Sequence, residues 1–369
     1  MLARPLQLGP VRLRTNLLLA PIAGWCELAW RETCRSLGGV GLACTDLLSP
    51  KGLICGSEAT ADLARTSEFD QPIGMQLYGG DPAVLAEGAR WCADHGATVV
   101  DINMGCPVDK VCKKDGGSKL MCSPDLARRI AEAVRHALPD EIPLTAKMRL
   151  GWTEADAQRN AAGALAVSLT QVGVCAVTVH GRTTEQLFRG HCRREGIRRV
   201  VESVGEATGD PSDGGVPVIG NGDIRTARDV VAMMRETGCA GVMIGRGSFA
   251  RPWVFREAWE AQLAEREGRD PVDLEPSEDE KLDLLLAYFA RLREYRGDAH
   301  AMHVIRQKVS WLGKSINNSH CKALKTGVRA ARTPGEVIDA VERWRAGQNT
   351  RAQAIGPDPS LAREARPDA

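Results

Sequence analysis

Residues 103–107 read Asn-Met-Gly-Cys-Pro and follow an apolar, β-branched run, Thr98-Val99-Val100-Asp101-Ile102. That order sets a thiol on the loop just past a buried strand, where parallel α/β folds build their active sites. The glycine before Cys106 and the proline after it restrict the loop backbone. A thiol held this way can serve as nucleophile, metal ligand or proton donor. Spacing argues against the metal: there is no CxxC pair, and Cys106, Cys112 and Cys122 stand too far apart for a standard zinc site. No metal is therefore expected.

Other chemistry-bearing residues also close apolar runs. Gln76 ends Ile-Gly-Met-Gln, Lys147 and Arg149 lie in Lys-Met-Arg, and His180 and Arg182 lie in Val-His-Gly-Arg-Thr. Asn221, Gly222 and Asp223 follow Val-Ile-Gly, and Gly245 and Arg246 follow Val-Met-Ile. Lys147 sits between Ala146 and Met148, a costly place for an ammonium without a partner. For an isolated histidine a satisfied core position is the default; strand-end placement before Gly-Arg favours a ligand contact for His180.

The runs that must position these residues are 17–20, 40–45, 73–77, 98–102, 143–148, 174–179, 216–219 and 240–244. Amphipathic stretches separate them, such as Asp81 to Asp94 and Ser123 to Leu138, the latter opened by the helix start Ser-Pro-Asp. Strand–helix alternation predicts a parallel sheet. Eight units within the first 260 residues predict an α/β fold of the (β/α)8 TIM-barrel class. A doubly wound open sheet fits less well, because the loaded residues follow many strands rather than one switch point. In a barrel they converge on one rim.

The last two loops point to phosphate. Barrel phosphates commonly bind after strands seven and eight, where glycines let backbone N–H groups approach the oxygens. Arg246 adds a forked cation. A phosphate there could belong to a sugar phosphate or to FMN, and the other strand ends favour FMN. The small Ala20-Pro21-Ile22-Ala23-Gly24 turn offers close-packed backbone. Gln76 can meet the pyrimidine edge, and Lys147 can stabilise an anionic reduced ring.

Composition sets the frame. The chain has 369 residues with a net charge of +1, so any charge argument must be local. No run of 18 apolar residues is present, so no membrane span is expected, and the start lacks the apolar core of a signal peptide. Twelve cysteines without a secretion signal read as reduced thiols in the cytoplasm. The expected domains are a barrel at 1–260, a linker at 261–280, an all-helical domain at 281–346 and a disordered tail at 347–369. Residues 206–215, rich in Gly, Asp, Pro and Ser, read as a surface insertion. Between Arg291 and Arg332 there are ten Lys/Arg against two Asp/Glu, an asymmetry that marks a polyanion partner. Val108 to Lys119 carries four lysines, including Lys113 and Lys114, and two glycines. It suits a mobile lid that meets phosphates; on charge alone it is equally a solvated loop.

Taken in order, Ala-Pro-Ile-Ala-Gly (20–24), Gln-Leu-Tyr-Gly (76–79), Asn-Met-Gly-Cys-Pro (103–107), Lys-Met-Arg (147–149), Val-His-Gly-Arg-Thr (179–183), Gly-Asn-Gly-Asp-Ile (220–224) and Met-Ile-Gly-Arg-Gly (243–247) resemble the bacterial branch of the tRNA-dihydrouridine synthases. The resemblance spans roughly residues 15–255, with the helical remainder similar to the family's C-terminal tRNA-binding domain. It implies FMN-dependent reduction of the uracil C5=C6 bond in tRNA, with NADPH as electron source. It also implies that Cys106 is the general acid at C5. Pro21, Ile22, Ala23, Gln76, Lys147, Asn221, Gly222, Asp223, Gly245 and Arg246 would hold FMN, with His180 near the flavin or uracil. Asn103, Arg149, Arg182, Lys113 and Lys114 would serve the substrate. The implied partner is tRNA, without membrane or metal, and the chain is taken as a monomer. A free thiol is mostly protonated at neutral pH and can donate, which suits an acid rather than a nucleophile. Trp25-Cys26-Glu27 is bulkier than the family's small, hydroxyl-bearing stretch, which implies a reshaped uridine pocket. The alternative is an FMN barrel that reduces a free pyrimidine or other small molecule. Further rivals are an aldolase-like barrel with Lys147 as Schiff-base amine and a non-catalytic RNA-binding barrel.

Overall fold

A computed structural model of the chain describes residues 2–113 and 115–355. It divides into two compact units, with the boundary between Glu275 and Pro276.

Eight parallel strands close into a barrel in the first unit: β1 (Leu17–Leu19), β2 (Leu42–Leu48), β3 (Ile73–Leu77), β4 (Val99–Met104), β5 (Leu144–Arg149), β6 (Val174–His180), β7 (Val218–Asn221) and β8 (Gly241–Ile244). Each pairs with its sequence neighbour, and β8 closes on β1 through Val242 opposite Leu17 and Ile244 opposite Leu19. All eight expected runs are strands, and the TIM-barrel class holds. Strands buried on both faces read as near-continuous apolar runs, which is why hydropathy finds them. The expected helix at 81–94 runs Pro82–Asp94 with Asp81 as its N-cap, and that at 123–138 runs Pro124–Ala137.

Side chains of alternate residues point inward and form layers. The lowest is apolar, with Leu18, Leu42, Val99, Ala176, Ile219 and Met243 packed together. Leu6, Leu8 and Leu13 join this cluster from the N-terminal segment, which makes a short antiparallel hairpin of Gln7–Leu8 against Val11–Arg12. These two-residue strands are too short for a periodicity signal. Each fully buried leucine contributes about 2 kcal/mol of transfer free energy. Above that layer the interior turns polar towards the carboxyl ends of the strands.

Two boundaries differ from expectation. A helix at Val254–Glu267 occupies the first part of the expected 261–280 linker, leaving 268–277 as the non-helical connection. The helix Arg194–Thr208 runs into the expected 206–215 insertion, where Thr208 is held by Val204 O and receives Val216 N–H.

The second unit is helical, with helices at Glu278–Leu312, Lys322–Ala330 and Pro334–Ile355. Ser277 and Glu280 form a capping box at its start. The long helix breaks at Gly297, whose φ of 75° needs a residue without Cβ strain. Leu285, Tyr288, Phe289, Ile305, Val309, Leu324, Val328 and Val341 are buried in this unit. The last helix covers part of the tail expected at 347–369; residues 356–369 lie outside the described residues.

Candidate active site

Cys106 stands half-buried just after β4. Its loop is fixed from two sides. Asn103 Oδ1 accepts the N–H groups of Gly105 (3.2 Å) and Cys106 (2.9 Å), and the Cys106 carbonyl accepts Ser118 N–H at 3.0 Å. Gly117 permits that return: its φ is 59°, and a Cβ there would lie 2.6 Å from the Cys106 carbonyl oxygen. Burial pushes the Cys106 thiol up, against a backbone hydrogen bond from Val108 that lowers it. The thiol is therefore protonated at neutral pH.

Lys147, on the adjacent strand and directly opposite Asn103, reaches Asn221 Oδ1 at 3.2 Å. Asn221 in turn donates to the Met243 carbonyl at 2.7 Å, which leaves its oxygen facing the ammonium. Burial and the neighbouring Arg149 push Lys147 down to about 8, with Asp101 opposing them. His180, opposite both Arg149 and Asn221, is buried and held well below the usual histidine range by burial and by Lys147, Arg149, Arg182 and Arg246. It is neutral at physiological pH.

At the ends of β7 and β8 the backbone is bare. Gly222 has φ 123°, and a Cβ there would lie 2.7 Å from Cys192 Sγ and 2.9 Å from the His180 ring. Across from it, a Cβ on Gly245 would meet Ile22 at 2.9 Å. Asp223 takes the left-handed conformation (φ 51°) and accepts from Arg182 Nη2 and Cys192 N, each at 2.7 Å. Burial raises the Asp223 carboxyl, but these bonds and Arg246 hold it below the usual carboxylate range. Arg246 is 48% exposed and only 3.7 Å from Asp223, so it keeps donors for a ligand. Pro21, Ile22 and Ala23 form the turn after β1, pinned by Cys26, whose Sγ accepts Ile22 N–H (3.2 Å) and donates to the Ala20 carbonyl (2.9 Å).

Of the residues expected at the site, the structure gathers Cys106, Asn103, Gln76, Lys147, His180, Asn221 and the β7 and β8 glycines at the strand ends. Direct substrate contact is not what the bonds of Arg149 and Arg182 support. Arg149 is buried and donates to the carbonyls of Gly105 (2.7 Å), Thr183 and Leu187 (2.8 Å each). Arg182 is buried and donates to the carbonyls of Arg189 (3.1 Å) and Gly190 (2.7 Å) as well as to Asp223. Both fasten loops, because buried guanidinium groups must satisfy their donors and carbonyls are in reach. Asn103 is likewise held by its own bonds, with one N–H left over. Lys113 is exposed, and Lys114 lies outside the described residues. Trp25 stacks on Phe249 with centroids 3.6 Å apart and meets Trp30 edge-on at 5.5 Å.

Sequence reasoning missed Asp101, Thr145 and Phe188. Asp101 and Thr145 lie within β4 and β5 as isolated polar residues in apolar runs, a signal available in the sequence. Phe188 is 57% exposed with Arg149 and Arg246 over its ring at 5.6 and 5.1 Å. Nothing in the chain's local pattern marks it.

Half-exposed Arg246 and the Lys147 ammonium, with side-chain-free backbone at Gly222 and Gly245, make a donor set that fits a phosphorylated, electron-rich cofactor. Among the described residues no cluster of His, Cys, Asp and Glu could hold a metal ion, and no helix is long and apolar enough to cross a membrane.

The family described as dihydrouridine synthase (Dus) matches residues 18–344, which takes in both units. A tRNA-dihydrouridine synthase B of Xanthomonas axonopodis pv. citri is 32% identical over 89% of this chain and 92% of its own length. The protein of the same name from Pseudomonas putida is 34% identical over 83% of this chain and 84% of its own. A probable tRNA-dihydrouridine synthase of Mycobacterium tuberculosis is 35% identical over 83% of this chain and 76% of its own. With a thiol, a half-buried lysine and paired glycine turns on the rim of a closed barrel, and with matches of this extent, the chain belongs to the dihydrouridine synthase family.

Proposed function

We infer that this protein is an FMN-dependent tRNA-dihydrouridine synthase, reducing the C5=C6 bond of uridine in tRNA at the expense of NADPH. The observation that carries the reading is a protonated thiol just after β4 and a half-buried cation on β5, together with the glycines and Arg246 at the ends of β7 and β8. FMN, when bound and reduced, supplies the hydride for C6. Gly222, Gly245 and Arg246 would receive its phosphate, the turn at Pro21, Ile22 and Ala23 would lie along the ring, and Gln76 and Lys147 would meet its polar edge, with His180 and Asp223 completing the wall. Cys106 holds a proton at Sγ for C5. Because burial keeps that thiol neutral, it reaches the reaction in the donating form. Neutral His180 can donate or accept one hydrogen bond without adding charge.

The substrate is assigned to tRNA rather than a free pyrimidine because the family match extends to residue 344, through the helical unit. A small-molecule reductase has no use for the excess of Lys/Arg between Arg291 and Arg332. The test has two parts. The purified protein should show two flavin absorption bands and release FMN on heating; a colourless protein that takes up no added FMN refutes the reading. Cys106→Ala should keep FMN and tRNA binding and lose dihydrouridine formation by at least ~100-fold, the range of a lost general acid. Undiminished turnover on native tRNA would remove Cys106 from the chemistry.

A further inference from the structure

Gln76, Asp101 and Thr145 are direct lateral neighbours on β3, β4 and β5 and share one inward layer. Thr145 Oγ1 donates to Asp101 Oδ1 at 2.6 Å, and Gln76 Nε2 donates to Asp101 Oδ2. Gln76 Oε1 accepts Asn103 Nδ2 at 2.7 Å, and Asn103 Oδ1 accepts Gly105 and Cys106 N–H. All four side chains are buried.

The polarity of this chain has a single solution. Burial raises the Asp101 carboxyl, while the hydrogen bonds from Thr145 and Gln76 and the charge of Lys147 favour its carboxylate form; an ionised carboxylate only accepts hydrogen bonds, and backbone N–H groups only donate. The two amides between them each have a donating and an accepting end. Only when Gln76 turns its nitrogen to Asp101 and Asn103 turns its nitrogen to Gln76 are all partners matched. Reversing either amide sets donor against donor or acceptor against acceptor at both of its ends. In a buried layer each such mismatch is strongly unfavourable.

We propose that Asp101 is the positioning residue of the site: its side-chain oxygen, by accepting from Gln76, fixes the direction of the Gln76–Asn103 amide relay and so holds the Cys106 loop in its donating position. Gln76 keeps one N–H free for a ligand, with its orientation already decided. The proposal rests on the reading of Cys106 as proton donor, and Asp101 acts only through its neighbours.

The experiment measures the alkylation rate of Cys106 by iodoacetamide, followed by mass spectrometry of its peptide, in full-length, flavin-free protein. Asp101→Leu removes the acceptor at similar size, and the loosened loop should react about tenfold faster, as expected for loss of a buried hydrogen bond. Asp101→Asn should stay within about twofold of wild type, because its oxygen still accepts from Gln76 while its nitrogen donates to the Thr145 hydroxyl. Gln76→Met interrupts the relay without touching Asp101 and should match Asp101→Leu; it also decides the question if the leucine variant does not fold. A wild-type rate in Gln76→Met, or an Asn variant as fast as the Leu variant, overturns the relay. A protein that binds no flavin yet follows this pattern sinks the functional reading alone. A flavin-loaded, active enzyme whose Cys106 ignores these substitutions sinks the relay alone.

Discussion

At Lys147, burial and Arg149 oppose the charge while Asp101 supports it, and the balance places the ammonium at about 8 rather than 10.5. Two opposite consequences follow. Between pH 8 and 10.5 the unfolded chain binds a proton that the folded chain has released, so this group makes the fold more stable as pH rises. Over the same range the site loses a cation, so its affinity for FMN should fall from about pH 8 upward. Fluorescence-quenching titrations of the flavin-free protein with FMN check this. The wild type should weaken across that range, and Lys147→Arg, whose guanidinium stays charged, should stay level. Equal profiles would mean that Lys147 carries no charge the ligand uses. Cys106 shifts the other way, raised by burial, so its proton outlasts that of Lys147 and is not the first to limit the site as pH rises.

Among the connecting elements, the loops after β4, β6 and β7 are tied to one another by two buried arginines. Arg149 joins the Cys106 loop to the 183–187 turn, and Arg182 joins the 189–190 turn to Asp223 after β7. Asp223→Asn isolates the charge in this arrangement, because asparagine also tolerates the left-handed backbone there. Arg182 would be left buried without its counter-ion, and urea unfolding should show a loss of about 1–2 kcal/mol, below the range for a fully buried pair because Asp223 is 29% exposed. An unchanged midpoint would mean that the carbonyls of Arg189 and Gly190 suffice. These ties also explain which part of the site the sequence made legible. Strand ends and glycines announce themselves locally: an apolar run stops, or a turn demands a residue without Cβ. Thus Cys106, Lys147, Gly222 and Gly245 could be placed by inspection. Arg149 and Arg182 could be located but not understood, since most of their partners are backbone carbonyls and a carbonyl has no sequence signature. The same limit shortened β2, which continues past the expected end at Thr45 through Asp46 to Leu48. Hydropathy ends the strand at those polar residues. In the fold Thr45 receives Gln76 N–H and Asp46 receives Gly24 N–H, so they remain inside.

For the molecule as a whole, charge is distributed by unit rather than by surface. The net charge is +1, while residues 291–332 alone carry ten Lys/Arg against two Asp/Glu, so the remainder is mildly acidic. Within the helical unit the helix Lys322–Ala330 separates its faces, with Leu324 and Val328 buried and Lys322 and Arg329 exposed two turns apart on the other side. Burial of the apolar pair fixes the helix against its own unit, and the basic pair lies on the exposed side, where the Arg329 guanidinium also bonds Ser310 Oγ. If that side meets the phosphate backbone of tRNA, Lys322→Ala with Arg329→Ala should weaken tRNA binding and flatten its dependence on salt by roughly 1.5 in log–log slope, from about 0.7 to 0.9 per lost phosphate contact. On the proposed placement of FMN at the barrel rim, FMN affinity should not change. Binding measured from low to moderate salt decides between a phosphate contact and an ordinary solvated face. A parallel drop at every salt concentration would show that the helix was merely disturbed, and an unchanged slope with unchanged affinity would move the tRNA surface to another part of the basic stretch.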